Sequence, residues 1–415
     1  MFSMAISFNR PLSLAKGKVN THYMHFVALT STSSASGFIQ MLTICIISKN
    51  IVQMKEPRML RIKDYIFANL PIFAQNVKVM LTDEKLKYNV AVIGSGSWAT
   101  AIVKILTANL DRTLWWVRRD EIAEGIKKYG HNPRYLSSTF INPDSVEIST
   151  DLEAVASKAE YLVIVTPAAF LHESLKPLKN IDLTGKKIIT AVKGIIPETM
   201  QLISDYLHSE FNIPLSSMAM ISGPSHAEEI AQEKYTFLTA ISENEELAKT
   251  VATMFANRYV HTTTSGDMLG TEIAIVMKNI YALGAGIYSG LGYGDNFLAA
   301  YIANCVKEMK RFVECMYPGK RNLDDSVYLG DLLVTAYSRY SRNRLFGNMI
   351  GHGLSVRVAQ LEMNMVAEGY YACRCVHEIN KKTNFDIPIA ETIYGILYEA
   401  KNVNSEMKNL AETYV

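Results

Sequence analysis

Val90-Ala-Val-Ile-Gly-Ser-Gly-Ser-Trp-Ala99 is a short β-branched run that ends on a glycine pair and continues into Thr100-Ala-Ile-Val-Lys-Ile105, which has helical spacing. A buried strand that runs at once into G-x-G-x-x-A and a helix is the opening of a dinucleotide-binding βα unit. Gly94 permits the tight turn, Gly96 lets the backbone approach a pyrophosphate, and the small Ala99 lets helix and strand pack closely. The free N–H groups at the helix N-terminus then face the phosphates. An ordinary glycine turn would account for the glycines alone, but their place between strand and helix at the head of an alternating series favours the dinucleotide.

The alternation continues outward. Apolar runs at 90–93, 113–117, 161–165, 187–192 and 218–221 read as buried strands, with helices such as 99–108 and 198–210 between them. Two further strands are expected at 236–240 and 258–262, flanking a helix near 243–255. Strands alternating with helices imply a mainly parallel sheet. After about Asp267 the strand signal vanishes and long helical patterns take over, beginning at 268–288 and 297–316. Glycines recur there at Gly284, Gly286, Gly290, Gly292 and Gly294, where close backbone packing or a turn would explain them.

The 415 residues are 49% hydrophobic and 20% charged, which excludes a disordered or fibrous chain. Lys+Arg 42 against Asp+Glu 40 leaves no overall field for nucleic acid, so a small molecule is the expected partner. The five cysteines, Cys45, Cys305, Cys315, Cys373 and Cys375, are odd in number and lack a CxxC pair. They signal neither a disulfide framework nor a metal site and fit a reducing, cytoplasmic compartment. No apolar run approaches the length of a membrane-spanning helix, so no stable membrane insertion is expected. Nine basic and two acidic residues precede Met80, leaving 33 basic and 38 acidic after it. This Ser- and Thr-rich, acid-poor beginning reads as a transit peptide, a small extra domain, or untranslated sequence ahead of a start at Met80; the last is favoured because no helical or strand period is sustained.

Several residues are candidates for chemistry. Arg118 and Arg119 end the second strand, where two guanidiniums suit the 2′-phosphate of NADP(H), although they also fit a solvated charge cluster and Asp120 could face the ribose instead. Lys193 follows an apolar strand at the carboxyl edge of the sheet, where ligands bind in open α/β folds. Lys278 sits among apolar residues on a helix, where it either snorkels to the surface or, if buried beside another cation, has a lowered pKa and acts as a general acid or base. Ser222-Gly-Pro-Ser225 is a strand-to-helix turn with Ser225 as the expected N-cap. Asp331 adds a carboxylate, and Arg342-Asn343 a guanidinium fork and an amide suited to phosphate oxygens.

Taken in order, these motifs resemble the NAD(P)-dependent glycerol-3-phosphate dehydrogenases of the bacterial type. The resemblance runs from about Asn89 to Glu368 on Gly94-Ser-Gly-Ser-Trp-Ala-Thr-Ala101, His131-Asn-Pro-Arg-Tyr-Leu136, Val192-Lys-Gly194, Ser222-Gly-Pro-Ser225, Met277-Lys-Asn279, Gly330-Asp-Leu332, Ser341-Arg-Asn-Arg344 and Ala367-Glu-Gly369. A start at Met80 would leave 336 residues, 415 less 79, similar to the family's usual length. The chain departs from the common pattern at Ala99, where glycine is usual, and at Ser326-Val-Tyr-Leu-Gly330, where a small glycine-rich segment is common.

The resemblance implies an α/β protein with an atypical extension over 1–86, a Rossmann-type doubly wound sheet over 87–266 and an all-α substrate domain over 267–415. It implies reversible hydride transfer between NAD(P)H and dihydroxyacetone phosphate, giving sn-glycerol 3-phosphate for phospholipid synthesis. NADP(H) is the expected cofactor and NAD(H) the alternative; a homodimer is the expected assembly. Lys278 matches the family's proton donor and acceptor. Lys193, Gly223, Ser225, Asp331, Ser341, Arg342 and Asn343 match substrate positions, with Asp331 orienting the lysines. Ser97, Trp98, Arg118, Arg119, Tyr135, Lys193, Ala227, Arg342, Val366 and Glu368, with Gly94 and Gly96, match cofactor positions. A related β-hydroxyacid-type dehydrogenase would not need the Arg342-Asn343 clamp, and a non-catalytic nucleotide sensor would not need both lysines.

Overall fold

The computed structural model describes residues 85–363 and 367–414; the expected N-terminal extension, apart from its last two residues, lies outside them. β1 (Val90–Ile93) passes through the glycine loop into α1 (Ser97–Asn109). The alternation continues as β2 (Thr113–Trp116), α2 (Asp120–Tyr129), β3 (Val146–Ser149), α3 (Leu152–Lys158), β4 (Tyr161–Ile164), α4 (Ala168–Leu175), β5 (Lys187–Thr190), α5 (Ile203–Phe211), β6 (Met218–Ser222), α6 (Ala227–Ala231), β7 (Thr236–Ile241), α7 (Glu245–Phe255) and β8 (Val260–Ser265). The strands form one sheet in the order β3-β2-β1-β4-β5-β6-β7-β8. β1 to β6 are parallel, with Val90 opposite both Thr113 and Tyr161. Sequence-adjacent strands split to either side of β1, so the crevice at its carboxyl end is the topological switch point where such sheets bind ligands.

The strand period shows in how β1 is buried. Val90 and Val92 join the core beneath α1, whereas Ala91 and Ile93 join the core on the opposite face. The sheet is mainly parallel, as expected, and its one antiparallel pair among the described strands is β6 with β7. Two features depart from the sequence reading. β3 was not anticipated, because Val-Glu-Ile-Ser at a sheet edge alternates buried and half-exposed residues rather than forming an apolar run. The helix expected at 198–210 starts only at Ile203, because a turn intervenes in which Met200 adopts φ +56° and Gln201 pairs with Ile196.

Beyond β8 the described chain continues as α8 (Met268–Gly290), α9 (Asp295–Met316), a short π-helical segment (Ser326–Gly330), α10 (Asp331–Tyr337), α11 (Arg342–Gly351), α12 (Val356–Glu362), α13 (Glu368–Thr383), α14 (Pro388–Tyr398) and α15 (Val403–Ala411). α8 is apolar around nearly its whole circumference because other helices enclose it. Its glycines are contact points. A Cβ at Gly286 would lie 2.1 Å from the Arg344 carbonyl oxygen, and one at Gly347 would lie 2.0 Å from that of Leu283, so α8 and α11 pack backbone to backbone. Gly292, at φ +85°, serves the turn that follows α8. No described helix is long and apolar enough to cross a membrane.

Candidate functional site

Two cavities open at the carboxyl edge of the sheet, against α10, α11 and α13. The larger, about 510 Å³, is walled by the glycine loop, Arg118, Tyr135, the segment after β4, and Arg342, Phe346 and Tyr371 from the helical half. The smaller, about 180 Å³, is lined by Lys193, Ser225, Lys278, Asp331, Thr335, Ser341, Arg342 and Asn343, with Ala227 and Glu368 among its other walls. They share Trp98, Val165, Thr166, Pro167 and Arg342, so a ligand in one touches the wall of the other.

The glycine loop is shaped for a phosphate ester. Gly94 has φ +138°, and a Cβ there would lie 3.1 Å from the Val165 carbonyl carbon, so a side chain would be strained in conformation and crowded against backbone. A Cβ at Gly96 would meet nothing within 4 Å, leaving the backbone open to the cavity. The loop's carbonyls are tied back: Trp115 Nε1–H donates to Gly94 O over 2.7 Å, and Asn132 Nδ2–H to Ser95 O over 3.0 Å. The first amides of α1 lack helical acceptors and form an anion site. This fits a dinucleotide pyrophosphate.

The smaller cavity is organised around Asp331, which begins α10 and is 1% exposed. Lys278 Nζ donates to its Oδ2, and Lys193 Nζ lies 3.6 Å from its Oδ1. Asp331 therefore bridges an ammonium from α8 and one from the end of β5. Lys278 also reaches Thr335 Oγ1 at 3.4 Å, one helical turn after Asp331. Burial pushes the Lys278 ammonium down to about 7, against the pull of Asp331 and helped by repulsion from Lys193. Burial would raise Asp331, but the two lysines hold its carboxyl below the ordinary carboxylate range. The snorkelling alternative for Lys278 is thus excluded.

Lys193 is steered by Gly223 O at 3.3 Å, Ser225 Oγ at 3.5 Å and the Trp98 ring, whose centroid is 5.5 Å away. Asn279 Nδ2–H donates to the Lys193 carbonyl over 2.9 Å, pinning the end of β5 to α8 beside Lys278. Ser225 is not the expected N-cap. That position falls to His226, while the Ser225 hydroxyl donates to Gly223 O over 2.9 Å and stands next to Lys193. Ser341 caps α11 by accepting from Arg344 N–H, leaving its own O–H as a donor. Asn343 Oδ1 accepts from Gly369 N–H over 2.9 Å, so its amide nitrogen is the end left to donate. Glu368 accepts from Ala168 N–H at the start of α4 over 3.2 Å, and burial pushes its carboxyl up to about 7.

Of the expected cofactor residues, Gly94, Gly96, Ser97, Trp98, Arg118, Tyr135 and Arg342 line the larger cavity, and Lys193, Ala227 and Glu368 the smaller. Arg119 lies in neither wall; it precedes α2, 4.0 Å from Glu121. Asp120 accepts from Thr150 Oγ1 over 3.0 Å. Val366 lies outside the described residues. Gly223 acts through its carbonyl on Lys193. Sequence reasoning missed Thr335, although its i+4 spacing from Asp331 was a usable signal. It also missed Phe170, Phe346, Tyr370 and Tyr371, whose place in the larger wall depends on how the helices pack.

Two family models match. Residues 89–248 match the NAD-dependent glycerol-3-phosphate dehydrogenase N-terminus, and residues 267–408 the C-terminus. Similar proteins include the glycerol-3-phosphate dehydrogenase [NAD(P)+] of Chlorobium limicola, 33% identical over 78% of this chain and 97% of that protein. The Lactobacillus johnsonii protein of the same name is 36% identical over 77% of this chain and 96% of its own. Among solved structures, glycerol-3-phosphate dehydrogenase from Coxiella burnetii superposes with a TM-score of 0.74 at 29% identity, covering 79% of this chain and 99% of that one.

Proposed function

Because the chain belongs to the NAD-dependent glycerol-3-phosphate dehydrogenase family, we propose that its two joined cavities hold a nicotinamide dinucleotide and a triose phosphate, with Lys278 as the group that moves the proton. The protein is an oxidoreductase that reversibly reduces dihydroxyacetone phosphate to sn-glycerol 3-phosphate with NAD(P)H, supplying glycerophospholipid synthesis. The observation that carries the site assignment is the Lys278–Asp331–Lys193 cluster, buried at Lys278 and Asp331, in a cavity that shares walls with the one the glycine loop lines.

The residues divide the work. Gly94, Gly96, Ser97 and Trp98 hold the pyrophosphate, Tyr135 flanks it, and Arg118 selects a 2′-phosphate, so NADP(H) is preferred and NAD(H) is the alternative. When bound, the nicotinamide supplies the hydride that reduces the ketone carbon. Lys278 donates a hydrogen bond to the ketone oxygen and releases its proton to that oxygen as negative charge builds there. Its position near neutrality suits it to give the proton in reduction and take it in oxidation. Lys193 adds a second positive charge beside the oxyanion, and Asp331 keeps both ammoniums oriented. Arg342, the Asn343 amide and the Ser341 hydroxyl hold the phosphate, with Gly223 and Ser225 placing Lys193 against the substrate. Ala227, Val366 and Glu368 complete the cofactor-contacting set by resemblance.

The reading extends to a dinucleotide-binding half over 87–266 and a substrate-binding half over 267–415. It also includes a homodimer in the cytoplasm with no nucleic-acid partner. Unpaired Cys305, Cys315, Cys373 and Cys375 are consistent with a reducing compartment.

The test follows NADPH and NADH oxidation separately, with dihydroxyacetone phosphate and with unphosphorylated dihydroxyacetone. Turnover requires the phosphate, favours NADPH, and falls by at least about 10²-fold in Lys278→Ala. A Lys278→Ala variant that turns over at the wild-type rate refutes the assignment.

A further inference from the structure

His226 stands in the wall of the smaller cavity, and the chemistry above gives it no role. Its Nε2 lies 3.4 Å from the carbonyl oxygen of Val334 in α10. A carbonyl only accepts, so Nε2 carries the ring's proton. A second proton on the ring is opposed by burial and by the Lys193 and Lys278 ammoniums, with Asp331 the counteracting charge. Together these hold the imidazole down to about 4. The ring is therefore neutral with a fixed tautomer, and Nδ1 is a lone-pair acceptor. The Tyr340 ring, 6.0 Å away and tilted by 57°, packs against the imidazole and restrains its plane. The Nε2 contact with Val334 is the one hydrogen bond the ring makes among the described residues.

The remaining walls of this cavity are dominated by donors. Lys193, Lys278, Arg342, the Asn343 amide and the Ser341 hydroxyl suit a ketone oxygen and phosphate oxygens, which are all acceptors. A triose phosphate of the kind read above also carries one free hydroxymethyl group, which must donate. Three carboxylates line the cavity: Asp331 is committed to both lysines, Glu368 accepts from Ala168 N–H, and Glu228 stands half-exposed in the first turn of α6. A carboxylate brought beside the ketone would compete for Lys278, whereas a neutral imidazole nitrogen accepts from a hydroxyl without drawing the ammonium away.

We propose that His226 Nδ1 accepts the hydrogen bond of the substrate's free hydroxyl, making His226 a specificity-determining residue that selects a hydroxymethyl ketone phosphate over a methyl ketone phosphate. The proposal rests on the triose phosphate reading of the smaller cavity. It adds the one recognition contact which that reading leaves open.

The test compares kcat/KM for dihydroxyacetone phosphate with that for hydroxyacetone phosphate, which keeps the ketone and the phosphate and replaces the hydroxyl by hydrogen. In the wild-type protein the ratio favours dihydroxyacetone phosphate by at least about tenfold. In His226→Phe, which keeps a planar ring without a lone pair, the ratio falls by about 10- to 100-fold, the range expected for a lost hydrogen bond to a buried partner. His226→Leu serves the same purpose should the bulkier ring misfold. A wild-type ratio near unity overturns the proposal and needs no variant. So does a variant that loses activity on both substrates equally, because a merely structural role leaves the ratio unchanged. No reduction of dihydroxyacetone phosphate by the wild-type protein overturns the underlying reading instead, and the hydroxyl contact with it.

Discussion

Replacing Asp331 by asparagine removes one charge and almost no volume from the centre of the site, and the structure fixes how the rate should respond. Asp331 Oδ2 accepts from Lys278, and Oδ1 lies 3.6 Å from Lys193. Unit charges about 4 Å apart interact by about 4 kcal/mol at an effective dielectric of about 20. At about 1.4 kcal/mol per pK unit, losing that attraction lowers Lys278 by roughly three units. The starting point is about 7, where burial and Lys193 already hold it down against Asp331. The variant's ammonium is then driven well below neutrality, and at pH 7 only a small fraction of it stays protonated. With Lys278 as the proton donor proposed above, reduction needs the protonated form, so kcat at pH 7 falls several hundred-fold, and it climbs about tenfold for each unit of pH lowered towards 5. The wild-type profile flattens below about pH 7. Initial rates of NADPH oxidation at saturating dihydroxyacetone phosphate, measured across this range for both proteins, decide the matter. A variant profile parallel to the wild type, merely scaled down, would show that Asp331 orients Lys278 without setting its charge.

Three further outcomes are expected. Arg118→Ser lowers the ratio of kcat/KM for NADPH over NADH by about 10- to 100-fold, the effect of losing a charge-assisted hydrogen bond, and steady-state kinetics with each cofactor measures it. Gly347→Ala puts a methyl 2.0 Å from the Leu283 carbonyl oxygen and forces α8 and α11 apart. Despite alanine's better helix propensity it destabilises the protein by at least about 2 kcal/mol, seen as a lowered Tm, and raises KM for dihydroxyacetone phosphate. Glu308, buried and accepting from Ile389 and Ala390 N–H at the start of α14, is pushed up to about 7 by that burial. A raised folded-state carboxyl binds more protons than the unfolded one between about 4.5 and 7, so its contribution is present at low pH and lost as pH rises through that window. In Glu308→Gln the difference in unfolding free energy between pH 5 and pH 8 shrinks by up to about 3 kcal/mol, measured by denaturant titration.

What was legible in the sequence follows from how local the responsible physics is. The glycine loop, the strands flanking it and α8 were readable because a β-branched run, a G-x-G-x-x-A turn and a predominantly apolar helix each declare themselves within about 20 residues. β3 was not readable, because a four-residue edge strand bearing Glu147 has no such run. The polar His-Thr-Thr-Thr-Ser stretch of β8 was only partly anticipated, since pairing with β7 rather than apolar burial makes it a strand. Lys193, Lys278 and Asp331 were found as separate candidates, but their convergence depends on α8, α10 and β5 meeting in space. Ser225 was misjudged for a related reason: serine before a helix predicts a cap, and only the lysine arriving from β5 turns its hydroxyl to another use.

The glycines of the helical half connect these two levels. Gly286 and Gly347 let α8 and α11 touch through their backbones, while Gly369 at the start of α13 would carry a Cβ 2.5 Å from the Asn279 carbonyl oxygen. Gly369 N–H is also the donor that fixes Asn343, and Asn279 is the residue that holds the Lys193 carbonyl. The Gly286–Arg344 contact lies next to Asn343, and the Gly369–Asn279 contact lies next to Glu368 and Lys278, so these side chains sit beside points where no side chain separates the helices. A rotamer change cannot absorb a shift there, because the contacting atoms are backbone. The relative positions of Lys278, Lys193, Asn343 and Glu368 are therefore set by helix geometry rather than by the packing of flexible side chains. That is what a site must provide if a proton and a phosphate are to be held in fixed relation. A methyl group at Gly369 should accordingly impair turnover out of proportion to its cost in stability, whereas an equally destabilising change in α15, remote from the cavity walls, should lower Tm and leave kcat/KM near the wild-type value.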